Sequence, residues 1–416
     1  MQSAIIERCR LCGGTDFQEI LDLGDIASSG RFPYGDEPDP PSGRLRMVFC
    51  AACGLAQLDR NFDLRELYKP PYGYRSGINR SMRDHLKGIV GDIIASGHVK
   101  SGDLVLDIAS NDGTLLNAYG DLDISRIGMD PTIGQFVELY PKDITAIPEF
   151  FGAEAFLAAS GGRKAAVITT IAMLYDLPDP HSFVSDVARC LGADGIWVFE
   201  QSYAGLMLAR NAFDTICHEH LEYYGLRQIE RLLDSHDLRA VDVTFNEING
   251  GSFQVKACHQ AAALVAAPGV KMARAQETAM NLNSPAPYLA FRDKVGDIRN
   301  LLQSFVEAEH RAGKTFCLYG ASTKGNTLLQ SCGLDHSLID AAADRNPKKW
   351  GYRTPRTGIP IISEETVRAM EPNYLLVLPW HFKDEFVERE QDFLRAGGKM
   401  IFPLPEFTIV TAENLA

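Results

Sequence analysis

LVLDIASNDGTLL, residues 104–116, decides the reading of the fold. Its first five residues are apolar apart from Asp107. The next five are small, polar or glycine, and Thr114-Leu115-Leu116 opens an apolar stretch. That order predicts a buried strand, a turn at its carboxyl end and a helix returning over the sheet. Further short apolar runs follow at 126–130, 166–171 and 196–200, separated by helical stretches. Buried runs alternating with helices predict a parallel sheet with crossovers. An amphipathic helix is expected over 78–96, with Ile78, Met82, Leu86, Ile89, Ile93 and Ile94 at spacings of three and four. A longer helix is expected over 291–310. After it a second α/β pattern begins, with apolar runs at 315–320, 339–343, 374–379 and 399–403.

Upstream of all this, Cys9 and Cys12 form one C-x-x-C and Cys50 and Cys53 another, each followed by glycine. Four thiolates match the tetrahedral preference of zinc and leave no open position, so the expected metal has a structural role. The competing reading, a redox dithiol, lacks a βαβ context around the cysteines. The 37 residues between the pairs hold Pro38, Pro40 and Pro41 and read as a loop. Five further cysteines are scattered, a pattern that suits thiols and a metal site better than disulfides.

Composition bounds the function. The chain has 416 residues, a prior of two to three domains. Its net charge of −13 argues against coating nucleic acid, which requires cations to displace counterions. No run reaches the roughly 18 apolar residues of a membrane span, and the N-terminus lacks the layout of a signal peptide. A cytoplasmic protein, monomeric or weakly oligomeric, is expected.

Three further segments carry chemistry. In CHEHLEYY (217–224) His218, Glu219 and His220 are consecutive and cannot share one direction. This is not H-E-x-x-H, so a catalytic zinc is not expected. A histidine beside a carboxylate suits a general base, because imidazole titrates near neutrality. In PPYGYRSG (70–77) Tyr72 and Tyr74 are candidates to line a pocket. In YGASTKGNTLL (319–329) Ser322 and Lys324 occupy a strand-to-helix turn suited to an anion. Downstream, DRNPKKWG (344–351) offers Arg345 and Lys348, and LPWH (378–381) offers Trp380.

The loop at Asp107 resembles the acidic-plus-glycine loop of class I S-adenosylmethionine methyltransferases. That likeness assigns Tyr72, Asp107, Ser110, Asn111, Asp112 and Gly113 to the cofactor, with Asp130 as ribose acceptor. Over nearly its whole length the chain resembles the nucleotide-sugar C-methyltransferases that place a branch methyl at C-3 of a deoxysugar. The resemblance runs through the paired C-x-x-C motifs, Tyr74-Arg75-Ser76, Asp107 to Gly113, Glu219-His220, Gly250-Gly251-Ser252, Gly320-Ala321-Ser322, Lys324-Gly325 and Leu378-Pro379-Trp380. It implies an α/β protein in three parts: a zinc-binding module (1–68), a Rossmann-like S-adenosylmethionine domain (69–245) and a second Rossmann-like domain for the nucleotide-sugar (246–416). It further implies a TDP- or GDP-linked 4-keto-deoxysugar substrate, His220 as base, and Glu219 and Tyr74 as its catalytic partners. Tyr175, Cys217, Ser322, Lys324, Arg345, Lys348 and Trp380 would contact the sugar nucleotide. Cys217 replaces a tyrosine of the family pattern, Tyr175 lies near a missing histidine, and Asn249 replaces the first residue of an HGGS-like turn; all three changes ring the sugar pocket. Three alternatives stay open: methylation of a sugar oxygen or nitrogen; an NAD-dependent oxidoreductase, against which the absence of G-x-G-x-x-G counts; and a non-catalytic zinc-ribbon adaptor with a degraded methyltransferase domain, against which Asp107, Gly113 and Asp130 count.

Overall fold

The computed structural model describes residues 3–63, Leu67 and residues 75–414. Its centre is a seven-stranded sheet in the spatial order Leu238–Asn246, Ser252–His259, Leu191–Ser202, Ala165–Ile171, Leu104–Ile108, Ser125–Met129, Ile144–Ile147. Ser252–His259 runs antiparallel between two neighbours; the remaining pairings are parallel. The first strand, Leu104–Ile108, is fully buried, as its apolar run requires. The chain leaves it toward Ser125–Met129 on one side and returns as Ala165–Ile171 on the other. This opens a crevice at the carboxyl ends where the strand order reverses, the usual ligand position in such sheets.

Leu238–Asn246 and Ser252–His259 form an antiparallel pair at the edge of this sheet. The expected 245/246 boundary therefore falls inside the strand Leu238–Asn246, within one sheet. Neither strand stood out in the sequence, nor did Ile144–Ile147.

The expected helix over 78–96 is Arg80–Ala95, and it buries Leu86, Ile89, Val90 and Ile93. Ile78 and Ile94 are exposed instead. Ile93 already takes the inward position, and the next residue lies about 100° further round the helix. The later helix, Ala286–Arg311, buries Val295, Ile298, Leu302 and Val306 but leaves Leu301 outside for the same reason.

The second α/β unit is a six-stranded sheet in the order Ile361–Ile362, Ala341–Ala343, Phe316–Tyr319, Tyr374–Val377, Lys399–Phe402, Thr408–Val410. All pairings are parallel except the last. Its order also reverses beside the first strand, between Phe316–Tyr319 and Tyr374–Val377.

The N-terminal module is an antiparallel sheet of Phe17–Ala27, Ser42–Cys50 and Ala56–Leu58. Its fourth strand comes from far along the chain: Glu222–Tyr223 pairs with Ala56–Gln57. The proline-rich connection between its first two strands docks on the C-terminal unit. Asn326 donates to the Ser29 carbonyl (2.7 Å), the Ala27 N–H donates to Gln330 (2.7 Å), and Tyr34 meets Tyr352 edge-on at 4.9 Å. The module thus bridges both α/β units. Among the described residues no helix is long and apolar enough to cross a membrane.

Candidate functional site

The turn after Leu104–Ile108 follows an unusual backbone path. Ala109, Asn111 and Gly113 have φ of 60°, 49° and 74°. Three left-handed residues at alternate positions fold the loop back on itself, a path that glycine follows most cheaply. Gly113 has no substitute, because a Cβ there would lie 3.0 Å from the Tyr140 ring. Tyr140 donates to the Asn111 carbonyl (2.9 Å), so Ser110 donates its hydroxyl hydrogen to Tyr140 (2.8 Å).

The acidic residues divide the work. Asp112 accepts from Arg75 (3.0 Å), the Gly77 N–H (2.9 Å) and Thr114 (2.6 Å), and Asn111 accepts from the Ser76 N–H (3.0 Å). These side chains staple the incoming 75–77 segment over the loop. Asp130 accepts from the Asn111 N–H (3.0 Å), the Thr132 N–H (2.6 Å) and the Thr132 hydroxyl (2.5 Å), tying two strand-end loops together. Asp107 is buried and, among the described residues, accepts from Thr169 alone (2.6 Å). Burial pushes its pKa up to about 7, despite that hydrogen bond and with Asp130 adding to the rise. Among the described residues no lysine or arginine pairs with Asp107 or Asp130. Two buried carboxylates without protein cations, at adjacent strand ends, form a site that fits a cationic ligand such as S-adenosylmethionine. Tyr72 and Tyr74 lie outside the described residues.

A second cluster lies where the two α/β units and the N-terminal module meet. The Thr215 carbonyl accepts from His220 Nδ1 at 2.6 Å. A carbonyl has no hydrogen to give, so Nδ1 carries the ring proton and Nε2 the lone pair. Burial first, and the Lys324 charge second, lower the His220 pKa to about 3. The imidazole is therefore neutral at ordinary pH. Tyr175 packs edge-on against it at 4.4 Å.

Glu219 does not orient His220, as expected from the sequence; the Thr215 carbonyl does. Consecutive residues project apart, and the Glu219 carboxylate lies beside Gly30 of the N-terminal module, where a Cβ would come within 3.0 Å of Oε1. Burial raises the Glu219 pKa, and among the described residues its Oε2 has no hydrogen-bond partner. Burial also raises the neighbouring Cys217 thiol. His218 turns away entirely, its Nε2 3.2 Å from the Gly43 carbonyl.

The C-terminal unit closes the cluster with two loops. Ser322 caps the helix Thr323–Ser331, its hydroxyl oxygen accepting from the Gly325 N–H (3.0 Å). Lys324 donates to the Asn249 carbonyl (2.5 Å). Burial lowers its pKa, opposed by Asp214. Trp380 donates its indole N–H to Asp214 (2.9 Å). Arg345 and Lys348 do not join. Arg345 is exposed and 3.8 Å from both Glu364 and Glu385, and Lys348 is exposed. Its neighbour Lys349 reaches the Gly320–Ser322 turn instead, donating to the Ala321 carbonyl (2.7 Å) and Asp344 (3.2 Å). In a one-turn 3₁₀ segment adjacent side chains diverge, so one lysine faces the turn and the other solvent.

Sequence reading missed Asp214, Thr215 and Gly30. Asp214 and Thr215 lie just upstream of CHEH and carried a positional signal. Gly30 carried none.

The cysteines converge as expected. Their four sulfurs all lie within 4.8 Å of one another, with Cys9 and Cys53 at 3.6 Å and Cys12 and Cys50 at 3.5 Å. Zn–S bonds of about 2.3 Å place tetrahedral sulfurs about 3.8 Å apart, so the cage fits zinc without rearrangement.

Comparison with known proteins agrees with this geometry. Residues 9–68 match a zinc binding domain, 79–243 a methyltransferase domain and 247–405 a C-methyltransferase C-terminal domain. The chain is 31% identical to C-methyltransferase NovU of Streptomyces niveus over 419 residues, spanning 98% of each. Among solved structures, magnesium protoporphyrin IX methyltransferase (ChlM) from Synechocystis PCC 6803 with bound SAM is 15% identical over 47% of this chain and 89% of that one, at a TM-score of 0.32. N-methyltransferase NodS from Bradyrhizobium japonicum WM9 with S-adenosyl-l-homocysteine is 14% identical over 45% and 91%, at 0.33. The zinc cage, the anionic crevice and the end-to-end match with NovU together establish that the chain belongs to the C-methyltransferase family, as an S-adenosylmethionine-dependent enzyme with a zinc-binding module.

Proposed function

We propose that the substrate is a nucleotide-linked 4-keto-deoxysugar, carried on TDP or GDP, that the methyl goes to carbon at C-3, and that His220 is the base. The observation that supports this reading is the His220–Thr215 bond, which leaves a neutral imidazole whose Nε2 carries the lone pair, within the electrostatic field of Lys324. A C–H next to a ketone is acidic enough for a protein base, whereas an unactivated one is not.

Bound S-adenosylmethionine supplies an electrophilic methyl group on a sulfonium. Asp107 and Asp130 would hold it, by their charge and as hydrogen-bond acceptors. His220 Nε2 takes the proton from the sugar carbon, and negative charge develops on the neighbouring carbonyl oxygen. Lys324 weakens His220 as a base in the resting site, yet the same charge stabilises the enolate once it forms. Thr215 keeps Nδ1 protonated throughout, so Nε2 alone receives the proton. Glu219 Oε2 is available to a sugar hydroxyl, and Tyr175 stacks the imidazole in place. Ser322, Lys324 and Trp380 stand on the side where the sugar nucleotide enters, in the crevice of the C-terminal sheet.

The test uses TDP- and GDP-linked 4-keto-sugars with His220→Asn. Wild type should exchange the α-hydrogen with deuterated water when S-adenosyl-homocysteine is bound, and the variant should not. The product should carry its methyl on C-3. Methyl on oxygen, or exchange by the variant at the wild-type rate, would reject the reading.

A further inference from the structure

Arg10 lies inside the first knuckle, between Cys9 and Cys12, and its side chain is buried. It points away from the metal cage. Its guanidinium donates to Gln57 Oε1 (3.1 Å), the Leu58 carbonyl (2.9 Å), the Arg60 carbonyl (2.9 Å) and Asn61 Oδ1 (2.6 Å). It also reaches past the module. It is 3.5 Å from the Leu221 carbonyl and forms a fully buried ion pair with Glu222 at 3.4 Å. Among the described residues neither Glu222 oxygen has a hydrogen-bond partner, and the Arg10 guanidinium at 3.4 Å is the carboxylate's counter-charge. The peptide after His220 is gripped from both sides. The Leu221 N–H donates to the Tyr175 carbonyl (2.7 Å), and the Leu221 carbonyl accepts from the Leu58 N–H (2.8 Å).

We infer that Arg10 and Glu222 are positioning residues for catalysis: the zinc knuckle, through this pair, sets the placement of His220. The inference rests on the assignment of His220 as base. Buried ion pairs contribute little net stability against apolar replacements of similar size, so a role in fixing geometry accounts for retaining one here. A displacement of about 1 Å at a reacting group costs up to about 10²-fold in rate.

The experiment compares Arg10→Met/Glu222→Met, which removes both charges together, with Arg10→Lys, which keeps the charge and loses the fork. Zinc content, S-adenosylmethionine affinity, kcat and KM are measured, alone and with His220→Asn. The double variant should hold one zinc and bind cofactor like wild type while kcat falls about 10²-fold. Arg10→Lys should fall between them. Combined with His220→Asn, neither change should slow residual turnover further, because both act through one group. A merely structural role would lower the two rates additively. Wild-type kcat in both variants, or additive losses, would overturn the inference while leaving His220 as base. Near-normal turnover by His220→Asn alone would remove the base assignment and the inference with it. If the double variant does not fold, Arg10→Lys decides on the same readouts.

Discussion

Replacing Asp107 by Asn should stabilise the cofactor-free protein and cripple cofactor binding. The Asp107 carboxylate is buried, and burial raises its pKa from 3.8 to about 7. Asn is nearly isosteric and still accepts the Thr169 hydrogen bond. A raised acid pKa means that the native state binds more protons than the unfolded chain between about pH 4 and 7, so stability falls as pH rises through that window. Converted at 1.36 kcal/mol per tenfold change, that rise gives a penalty of about 4 kcal/mol at pH 8 and less than half of that at pH 5. Asn carries no such penalty. For a domain of this size, about 4 kcal/mol corresponds to roughly 8–16 °C in melting temperature. Thermal unfolding of the ligand-free protein at pH 8 and pH 5 should therefore show a large gain for Asp107→Asn at pH 8 and less than half of it at pH 5. Calorimetry should show S-adenosylmethionine affinity reduced at least tenfold, about 1.4 kcal/mol. In wild type the same affinity should rise between pH 6 and 8, as Asp107 ionises to meet a cationic ligand. A pH-independent difference in melting, or a destabilised variant with undiminished cofactor affinity, would refute the anionic-site argument.

His220→Asn should lower kcat by about 10²–10⁴-fold with little change in KM. Because burial and Lys324 hold the His220 pKa near 3, the wild-type kcat at saturating cofactor should show no acid limb between pH 6 and 7, and a limb there would contradict a neutral resting imidazole. Gly113→Ala should cost about 1–2 kcal/mol for its left-handed backbone alone, more for the Tyr140 contact, and weaken cofactor binding, as melting curves and titration would register. Metal analysis should find one zinc per chain. Cys50→Ser or chelation should destabilise the N-terminal module and abolish turnover before cofactor binding, because Glu222–Tyr223 pairs with that module and the cofactor loop does not.

Local chemistry was legible in the sequence wherever one segment supplies all the parts. The zinc ligands are two short knuckles, and the C-x-x-C spacing dictates that each points two thiolates at one ion. The Asp107 turn is likewise a single strand, loop and helix, so its buried acid and its place in the crevice followed from periodicity. The strands of both sheets that are continuous apolar runs were legible for the same reason. Leu238–Asn246 and Ser252–His259 were not: they form an edge pair with mixed burial, and their pattern resembles a loop.

The roles around His220 were decided only by the tertiary structure. Sequence adjacency put Glu219 beside His220, but neighbouring side chains project apart, and a backbone carbonyl five residues away accepts the hydrogen bond from the ring N–H. Similar turn chemistry could not separate Lys324, which is half-buried and bonded to the Asn249 carbonyl, from Arg345 and Lys348, which face solvent. Nor does a C-x-x-C motif disclose that the arginine within it holds the peptide after the base. Composition and periodicity report which residues are buried and in which element. Which buried groups meet across three units depends on strand order and docking, and contacts separated by 200 residues leave no local trace.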